Sequence, residues 1–321
     1  MIEFHYLPER DHPLLNFEEG GILIALGAAL QNAELEARAQ GFAPWTSYVA
    51  SGSCVAVMEL VERGSLDASL QALHGAIFRR HTNRKAYRKV PLARDLRSTI
   101  LDCQPAGSDL MLSLVESEDA MSEVGRALST MEETALANER LHEIFFRDIL
   151  WSDADNRAGK PGLYLKTLEL PPPAQLLFRL LHYWRIAKML AKIGLPGLVA
   201  KQNAVQNALA SAFGIIAASH TNRAVYLEIG QMLERIWLFA TARGLSLQIV
   251  TGITFLARAL NRPDIARLFT AAQQARVRSA YETIKKNVDE GREPILVFRI
   301  GTSEEPTAVT YRRSPDVAFL L

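Results

Sequence analysis

Two helical segments with the same residue frame constrain this chain more than any other feature of its sequence. Residues 17–39 and 226–243 both place apolar side chains at helical spacing, and a glycine follows each segment. The stretches 26–42 and 229–245 share the frame G-x-x-L-x-x-[AI]-x-x-x-A-x-x-x-G, with a short apolar strand predicted later in each half. The frame predicts two buried helices and suggests an internal duplication.

Short apolar strands alternate with the other predicted helices. Apolar runs bounded by turn residues predict strands at 53–60, 109–115, 245–250 and 295–300. Helical spacing predicts helices at 66–79, at 93–103, in one or two pieces over 120–151, and in several pieces from 252 to about 287. The stretch 152–162 is rich in Asp, Asn, Gly and Pro, which predicts a loop.

A proline-bounded segment in the middle of the chain has the pattern of an insertion. The triple proline at 171–173 precedes two apolar and basic helical stretches, 175–193 and 198–213. We interpret this segment, 171–213, as a helical cap or arm. Its Tyr183 and Trp184 either belong to the core or cover a planar ligand.

Composition excludes several classes of function. The chain has 321 residues, and 36 Lys+Arg oppose 35 Asp+Glu, so a nucleic-acid partner is not expected. Cys54 and Cys103 have no second Cys or His at ligand spacing, so we predict neither a disulfide nor a metal site. The polar start lacks a secretory pattern and no apolar window is long enough for a membrane span, so we expect a cytoplasmic location.

The densest cationic feature is FRRHTNRKAYRKVP at 78–91. Its six Lys and Arg residues surround His81, Thr82 and Asn83, and guanidinium, hydroxyl and amide groups together form good phosphate sites. Arg312 and Arg313, near the other end of the sequence, are candidates to converge on the same anion. The alternative is a solvated basic turn whose arginines pair with acidic neighbours.

The segment AIFRRHTNRKAYRKVPLARDLRSTILD (76–102) resembles the opening of the nitroreductase flavoprotein superfamily, with its R-R-x-S/T-x-R signature followed by "vP" and a helix. The stretch 230–252 is similar to the family's helix, strand and glycine turn at the flavin N5. The ending ILVFRIGTSEEPTAVTYRRSP (295–315) resembles the family's "fRiG…P…RRp". Residues 9–41 resemble the first lobe of an internally duplicated branch, whose single chains imitate the usual homodimer and which includes flavin-sequestering members.

The resemblance implies an α+β fold with a central mixed or antiparallel sheet flanked by helices. It implies an incomplete first lobe at 1–75 and a full FMN-binding lobe at 76–321. By the same resemblance the cofactor-binding residues are Arg79, Arg80, Thr82, Arg84, Thr251, Gly252, Arg312 and Arg313. The arginines and Thr82 would hold the phosphate and ribityl chain, and the Thr251–Gly252 turn would lie against the ring. No side chain is implied as a catalytic acid or base.

The sequence departs from the family at one wall of the flavin pocket. Nothing of the form "aPSxxNxQPW" precedes Glu9, and the second lobe's equivalent, LDCQPAGSDLML (101–112), is degenerate. We therefore expect a relative that has lost about its first forty to fifty residues, through truncation, through divergence, or because it is the C-terminal piece of a larger polypeptide.

Three hypotheses follow. The first is an FMN-dependent oxidoreductase that accepts hydride from NAD(P)H and reduces an electron-poor organic small molecule. The second is a non-catalytic module that sequesters flavin beneath the arm. The third is a degenerate domain that serves as an interaction piece of a larger assembly. The protein would be a monomeric pseudo-dimer, a homodimer, or a chain whose missing pocket wall is supplied by a partner protein.

Overall fold

The N-terminal part of the computed structural model is a three-stranded antiparallel sheet combined with one long helix. Residues 1–7, 16–62, 68–312 and 317–318 are described. In chain order the first elements are β1 (Ile2–His5), a single 3-10 turn (Phe17–Glu19), α1 (Gly20–Ala39), β2 (Phe42–Tyr48) and β3 (Cys54–Glu62). Strand β3 lies between β1 and β2.

The remaining elements build a larger sheet and the helices on its two faces. The first of them are α2 (Ala68–His74), β4 (Tyr87–Arg88), α3 (Arg94–Leu101), β5 (Met111–Val115), α4 (Glu118–Ala137), α5 (Glu139–Arg147), β6 (Ile149–Leu150), α6 (Asp153–Arg157), β7 (Leu163–Tyr164), α7 (Pro172–Leu181), α8 (Trp184–Lys192) and α9 (Leu195–Asn207). They are followed by β8 (Ala212–Ala218), α10 (Arg223–Ala242), β9 (Ser246–Ile249), α11 (Gly252–Ala259), α12 (Pro263–Ala266), α13 (Ala271–Lys285) and β10 (Glu293–Ser303).

Strand β10 organises the larger sheet. The order is β4-β10-β8-β5, β9 also pairs with β10, and every pairing in this sheet is antiparallel. Side chains of β10 alternate between two cores, as a strand buried on both faces requires. Phe298 joins the core shared with α1 and α10, and Val297 joins the core shared with α4, α11 and α13. The predicted α+β class with a sheet flanked by helices is confirmed.

Two sets of elements, one near each end of the sequence, have the same order of strands and helix and the same strand pairing. The order strand, helix, strand and final strand is that of β1, α1, β2 and β3 and also that of β8, α10, β9 and β10, with helices α11, α12 and α13 inserted before β10, and in each set the last strand pairs antiparallel with the other two. Helices α1 and α10 both have 20 residues. Gly41 and Gly244, which follow them, both have positive φ, the conformation in which glycine commonly ends a helix.

Helices α1 and α10 cross at two glycines that occupy the same position in the shared frame. A Cβ atom on Gly27 would collide with the carbonyl oxygen of Leu227, and one on Gly230 with that of Ile24. The contact is therefore reciprocal, and glycine at both positions is required by the close approach of the two backbones. Around this crossing, Leu23 of α1 and other fully buried side chains of both helices form one common core.

The prediction is wrong around residues 198–213, where it places a helix. Helix α9 ends at Asn207, and residues 212–218 form β8, which is buried along its whole length in the middle of the larger sheet. The run AFGIIAA has no alternation because both faces are covered, so it resembles a continuation of the preceding helix. The predicted arm also differs in detail: the helix expected at 175–193 is interrupted between α7 and α8.

Smaller differences concern short elements. The polar start contains β1, and β2 was not predicted. The predicted loop at 152–162 contains α6, whose N-terminus is capped by the Ser152 side chain. Within the described ranges, no helix has the length and apolar character needed to cross a membrane.

Candidate functional site

The cationic segment is fixed to the larger sheet by a buried asparagine. The Asn83 backbone N–H donates to the carbonyl of Leu247 (3.1 Å), and its side-chain amide donates to Ser246 Oγ (2.9 Å) and to the carbonyl of Glu304 (2.7 Å). Thr82 forms a parallel bridge with Leu247 on β9. The segment is therefore held in one position, which is what a preorganised binding site requires.

Arg80 faces a buried carboxylate on α10. Its Nε donates to Glu234 Oε1, and its guanidinium lies 4.7 Å from the centre of the Trp237 ring. Glu234 is 0% exposed. Burial raises the pKa of this carboxyl group, while Arg80 and the neighbouring Asn32 oppose the rise. Among the described residues, Glu234 Oε2 and Trp237 Nε1 are buried polar atoms with no hydrogen-bond partner.

Two further arginines lie beside Arg80. Arg312 donates from Nη2 to the Arg80 carbonyl (2.9 Å), and burial together with the nearby Arg80 lowers the pKa of its guanidinium. Arg79 is exposed and donates to the Gly75 carbonyl (2.9 Å). Within the described part of the chain, neither Arg79 nor Arg312 has a carboxylate within ion-pair distance. We call Arg79, Arg80, Arg312, Glu234 and Trp237 the Glu234 cluster.

Arg84 lies in a different environment, with an arginine that the sequence analysis did not select. Arg299 of β10 is buried, and burial lowers its pKa to about 10. It donates to three oxygens, Gln248 Oε1 (2.8 Å) and the carbonyls of Gln206 (3.2 Å) and Lys85 (3.1 Å). Its guanidinium stacks 4.2 Å from the centre of the Tyr87 ring. Like Val297, Arg299 belongs to the face of β10 opposite Phe298.

Burial also lowers the pKa of Arg84, which donates to the Thr167 carbonyl (3.5 Å). No carboxylate of the described residues lies within ion-pair distance of Arg84 or Arg299. We call these two residues the Arg299 pair. The structure thus divides the predicted cations into two groups. An arginine in the middle of the apolar run ILVFRI is the sequence signal that could have identified Arg299.

The Thr251–Gly252 turn lies beyond the end of β9, whereas Thr82 contacts its start. Thr251 Oγ1 both donates to the carbonyl of Val297 and accepts from its N–H, each at 3.0 Å, so this side chain joins the turn to β10. A Cβ atom on Gly252 would lie 2.9 Å from Met131 Cγ of α4. Close packing of α11 against α4 therefore accounts for glycine at this position. Arg313, the last predicted residue, lies outside the described residues.

The arm packs on α4 and α5, and its ends meet the Arg299 pair. The ring of Trp184 lies 5.1 Å from that of His142, within an aromatic cluster, whereas Tyr183 is 61% exposed. The carbonyls of Thr167, just before the arm, and of Gln206, near its end, accept from Arg84 and Arg299. A cleft of about 740 Å³ lies between α4, α9 and the segment 89–91.

Comparison with known proteins gives the following similarities. No family model matches this chain. The uncharacterized protein MT1398 of Mycobacterium tuberculosis (strain CDC 1551 / Oshkosh) is 24% identical over 297 residues, which cover 91% of this chain and 41% of that protein. The chain therefore spans less than half the length of this relative.

Among solved structures, the chain is similar to an FMN-dependent nitroreductase, NfnB, from Mycobacterium smegmatis in complex with NADPH (TM-score 0.40, 16% identity, 78% of this chain and 96% of that chain). It is also similar to a nitroreductase with bound FMN from Bacteroides fragilis (TM-score 0.39, 10% identity, 78% and 97%). A third similar structure is the NADPH:FMN oxidoreductase from Vibrio harveyi complexed with NAD+ (TM-score 0.34, 12% identity, 78% and 79%).

Proposed function

We propose that this chain binds FMN at the Glu234 cluster and acts as a nitroreductase-like oxidoreductase, with NAD(P)H as reductant and an electron-poor organic molecule as acceptor. One observation carries the proposal: two guanidinium groups from distant parts of the sequence, those of Arg80 and Arg312, lie near the single buried carboxylate of Glu234, and the exposed Arg79 is the sequence neighbour of Arg80. The local positive charge is therefore unbalanced, which favours an anionic ligand. The R-R-x-S/T-x-R resemblance identifies that anion as a flavin phosphate.

The chemistry of the cluster fits FMN at the phosphate and the ribityl chain. Arg79 and Arg312 have guanidinium donors that no carboxylate of the described chain occupies, and guanidinium binds phosphate bidentately. Among the described residues, Glu234 Oε2 and Trp237 Nε1 are a buried acceptor and a buried donor without partners, and because buried polar atoms normally have one, a polar group of a ligand that entered here would satisfy them. When bound, the flavin would supply hydride acceptance and electron transfer.

The ring would lie toward the Thr251–Gly252 turn. Thr82 pairs with Leu247, and from there to residue 251 an extended chain covers roughly 13 Å. An elongated cofactor with phosphate at one end and a ring at the other suits this separation. Near the flavin ring the chain would contribute the backbone of the Thr251–Gly252 turn, which the Thr251 side chain holds against β10.

The same proposal includes the division of the chain. The reciprocal glycine crossing and the common connectivity support an internal duplication, with a first lobe at 1–75 and an FMN-binding lobe at 76–321. Such a chain would act as a monomeric pseudo-dimer. Its two cysteines are free thiols, which favours a reducing compartment such as the cytoplasm.

The placement of the arm favours a second candidate function, the sequestration of flavin without turnover. The carbonyl of Thr167, just before the arm, accepts from Arg84 of the cationic segment, and the carbonyl of Gln206, near the end of the arm, accepts from Arg299 of β10, so both sides of the arm are anchored. An arm that is fixed in place would keep an electron acceptor away from the flavin rather than admit it. Turnover of NADPH with a quinone or nitroaromatic acceptor separates the two functions, because only the first produces it.

The test is the visible absorbance of the protein as purified and after addition of FMN, with the released cofactor identified by mass. We expect one FMN per chain, and we expect Arg79→Ala combined with Arg312→Ala to weaken FMN binding by at least 100-fold because charge-assisted phosphate bonds are lost. Arg88→Ala is the matched control, since Arg88 is an exposed arginine of the same segment. Arg80 is left intact, because its removal would strand the buried Glu234 carboxylate.

Two results would refute the assignment. A native protein that carries no FMN and takes up none at micromolar concentration excludes FMN binding. Undiminished affinity in the double variant, with the fold verified by circular dichroism, excludes the Glu234 cluster as the phosphate site.

A further inference from the structure

Three side chains with different metal-binding atoms converge on the N-terminal sheet, far from the Glu234 cluster in the sequence. In the antiparallel pairing of β1 with β3, His5 is the register partner of Cys54. Glu3 lies two residues before His5, and its carboxylate contacts His5 Nε2 at 2.9 Å. One ligand atom of each residue, a carboxylate oxygen, a ring nitrogen and the Sγ, lies within 4.8 Å of the other two.

We propose that Glu3, His5 and Cys54 bind a divalent transition metal ion, with Zn²⁺ the best match. Zinc combines carboxylate oxygen, imidazole nitrogen and thiolate sulfur in its sites, at about 2.0–2.3 Å from the ion. Donors at those distances around a tetrahedral ion are separated by roughly 3.3–3.8 Å. The Glu3 carboxylate oxygen and His5 Nε2, now 2.9 Å apart, would have to separate slightly, and distances of up to 4.8 Å among the donors would have to shorten by about 1 Å, both of which side-chain rotation supplies.

The charges and the second-neighbour contacts suit a zinc ion. A carboxylate, a thiolate and a neutral imidazole balance the two positive charges of the ion. His5 Nδ1 lies 3.3 Å from Ser53 Oγ, so a partner holds that side of the ring, and Nε2, which contacts the Glu3 carboxylate, is the nitrogen that would bind the metal in place of this contact. A hydrogen bond to the outer nitrogen of a metal-bound histidine fixes both its orientation and its tautomer.

A local irregularity of the strand lies at the same place. The register of β1 with β3 shifts between Phe4 and His5, as at a β-bulge. A bulge changes the direction of a side chain and is frequent next to functional sites. Here it separates Phe4, which packs against the core, from His5, which faces the other two donors.

The site leaves room for a fourth ligand. The side chains of His5 and Glu3 are 45% and 29% exposed, so water reaches the position that the three protein ligands leave open. A zinc ion with three protein ligands and one open position can bind a small ligand in addition to water. The ion would also connect β1 to β3 through side chains, so its binding is expected to stabilise the N-terminal sheet.

The test uses Co²⁺ as a spectroscopic probe and Zn²⁺ as the competitor, with tag-free protein of full length. We expect one Co²⁺ per chain, an absorption band in the near ultraviolet from charge transfer between thiolate and cobalt, and loss of this band when Zn²⁺ is added. Cys54→Ser and His5→Ala should each lower the affinity at least tenfold, in line with the loss of a metal ligand. Thermal unfolding of the native protein should shift upward with Zn²⁺.

Cys103→Ser is the matched control, because Cys103 is the other free cysteine and is buried in the core. It should keep the cobalt band unchanged. Metal-free Cys54→Ser should unfold at the temperature of the metal-free native protein, which separates loss of a ligand from loss of the fold. The proposal is overturned if the native protein shows no thiolate band, if Cys54→Ser retains it, or if Cys103→Ser abolishes it. None of these outcomes depends on whether the protein binds FMN.

Discussion

The glycine crossing of α1 and α10 predicts that Gly230→Ala destabilises the protein, although alanine is the better helix former. The added Cβ would lie 2.9 Å from both Ala28 N and Gly27 Cα, and closer still to the Ile24 carbonyl oxygen. All three neighbours are backbone atoms of α1. No side-chain rotation can relieve the overlap, so the two helices must separate.

The magnitude follows from the required separation. Ordinary van der Waals contact begins at 3.4 Å and the Ile24 carbonyl oxygen would lie 2.1 Å from the new Cβ, so the backbones must move apart by about 1 Å. A gap of 0.5–1 Å forfeits about a quarter to a half of the dispersion energy of the atoms that line it. Overpacking of this kind lowers the free energy of unfolding by about 1–3 kcal/mol, and by more where only the backbone can move. Because all the neighbours here are backbone atoms, we expect about 3–4 kcal/mol. Helix propensity returns about 1 kcal/mol, so the net loss is about 2–3 kcal/mol.

Gly197 provides the matched control within α9. A Cβ on this residue would have no heavy atom within 4 Å, so Gly197→Ala should gain about 0.5–1 kcal/mol from helix propensity alone. Equilibrium unfolding in urea, followed by far-ultraviolet circular dichroism, measures both changes. Gly27→Ala should match Gly230→Ala in cost because the crossing is reciprocal. The double variant should lose less than the sum, since one separation accommodates both methyl groups.

The reasoning is refuted if Gly230→Ala is as stable as the native protein or gains stability like Gly197→Ala. Strict additivity in the double variant would refute the shared crossing, even if each single variant is destabilised.

Two buried charges give further predictions. Burial raises the pKa of Glu132 to about 7, and its Oε2 has no partner among the described residues, so the folded state binds this proton more tightly than the unfolded chain does. The free energy of unfolding of the native protein should therefore fall as pH rises from about 4.5 to 7. Glu132→Gln should remove that fall, so the variant should have a free energy of unfolding up to about 3 kcal/mol above that of the native protein at pH 8 and equal to it at pH 4. Glu133→Gln, whose carboxylate pairs with Arg276, is the control, and equal pH profiles for native protein and Glu132→Gln would contradict the assignment. Arg299→Lys should lower the free energy of unfolding in urea by about 2–4 kcal/mol, because one ammonium group cannot reach the three oxygens that the guanidinium group binds. Unchanged stability would show that those hydrogen bonds contribute nothing.

The long helices could be predicted from sequence because their periodicity is local. Helix α10 has one face toward α1, and its apolar spacing and terminal glycine are both visible within the segment itself. Strand β8 lacks any such signal. Its seven residues are buried on both faces, and only its pairing with β5 and β10 distinguishes it from a short buried helix.

The candidate site was predictable in part for the same reason. Six cations within one segment are conspicuous, and the resemblance of this segment to the R-R-x-S/T-x-R signature selected Arg79, Arg80 and Arg84 among them. Their partners were not predictable, because Glu234 lies on a helix more than a hundred residues away and Arg299 is a single arginine within an apolar strand. The proposed metal-binding trio was not visible in the sequence because Cys54 meets His5 through the register of two strands, whereas a search by spacing considers only neighbours in sequence.

Glu234 connects the fold to the proposed function. It lies on α10 one helical turn after Gly230, so it occupies the same face of the helix as the glycine crossing. Its carboxylate holds Arg80, and the Arg80 carbonyl in turn accepts from Arg312. The position of the cationic groups therefore depends on how closely α1 and α10 approach each other. A substitution that separated these helices would move the Glu234 carboxylate, and with it Arg80 and Arg312, so the glycine pair in the core and the proposed anion site belong to one structural unit.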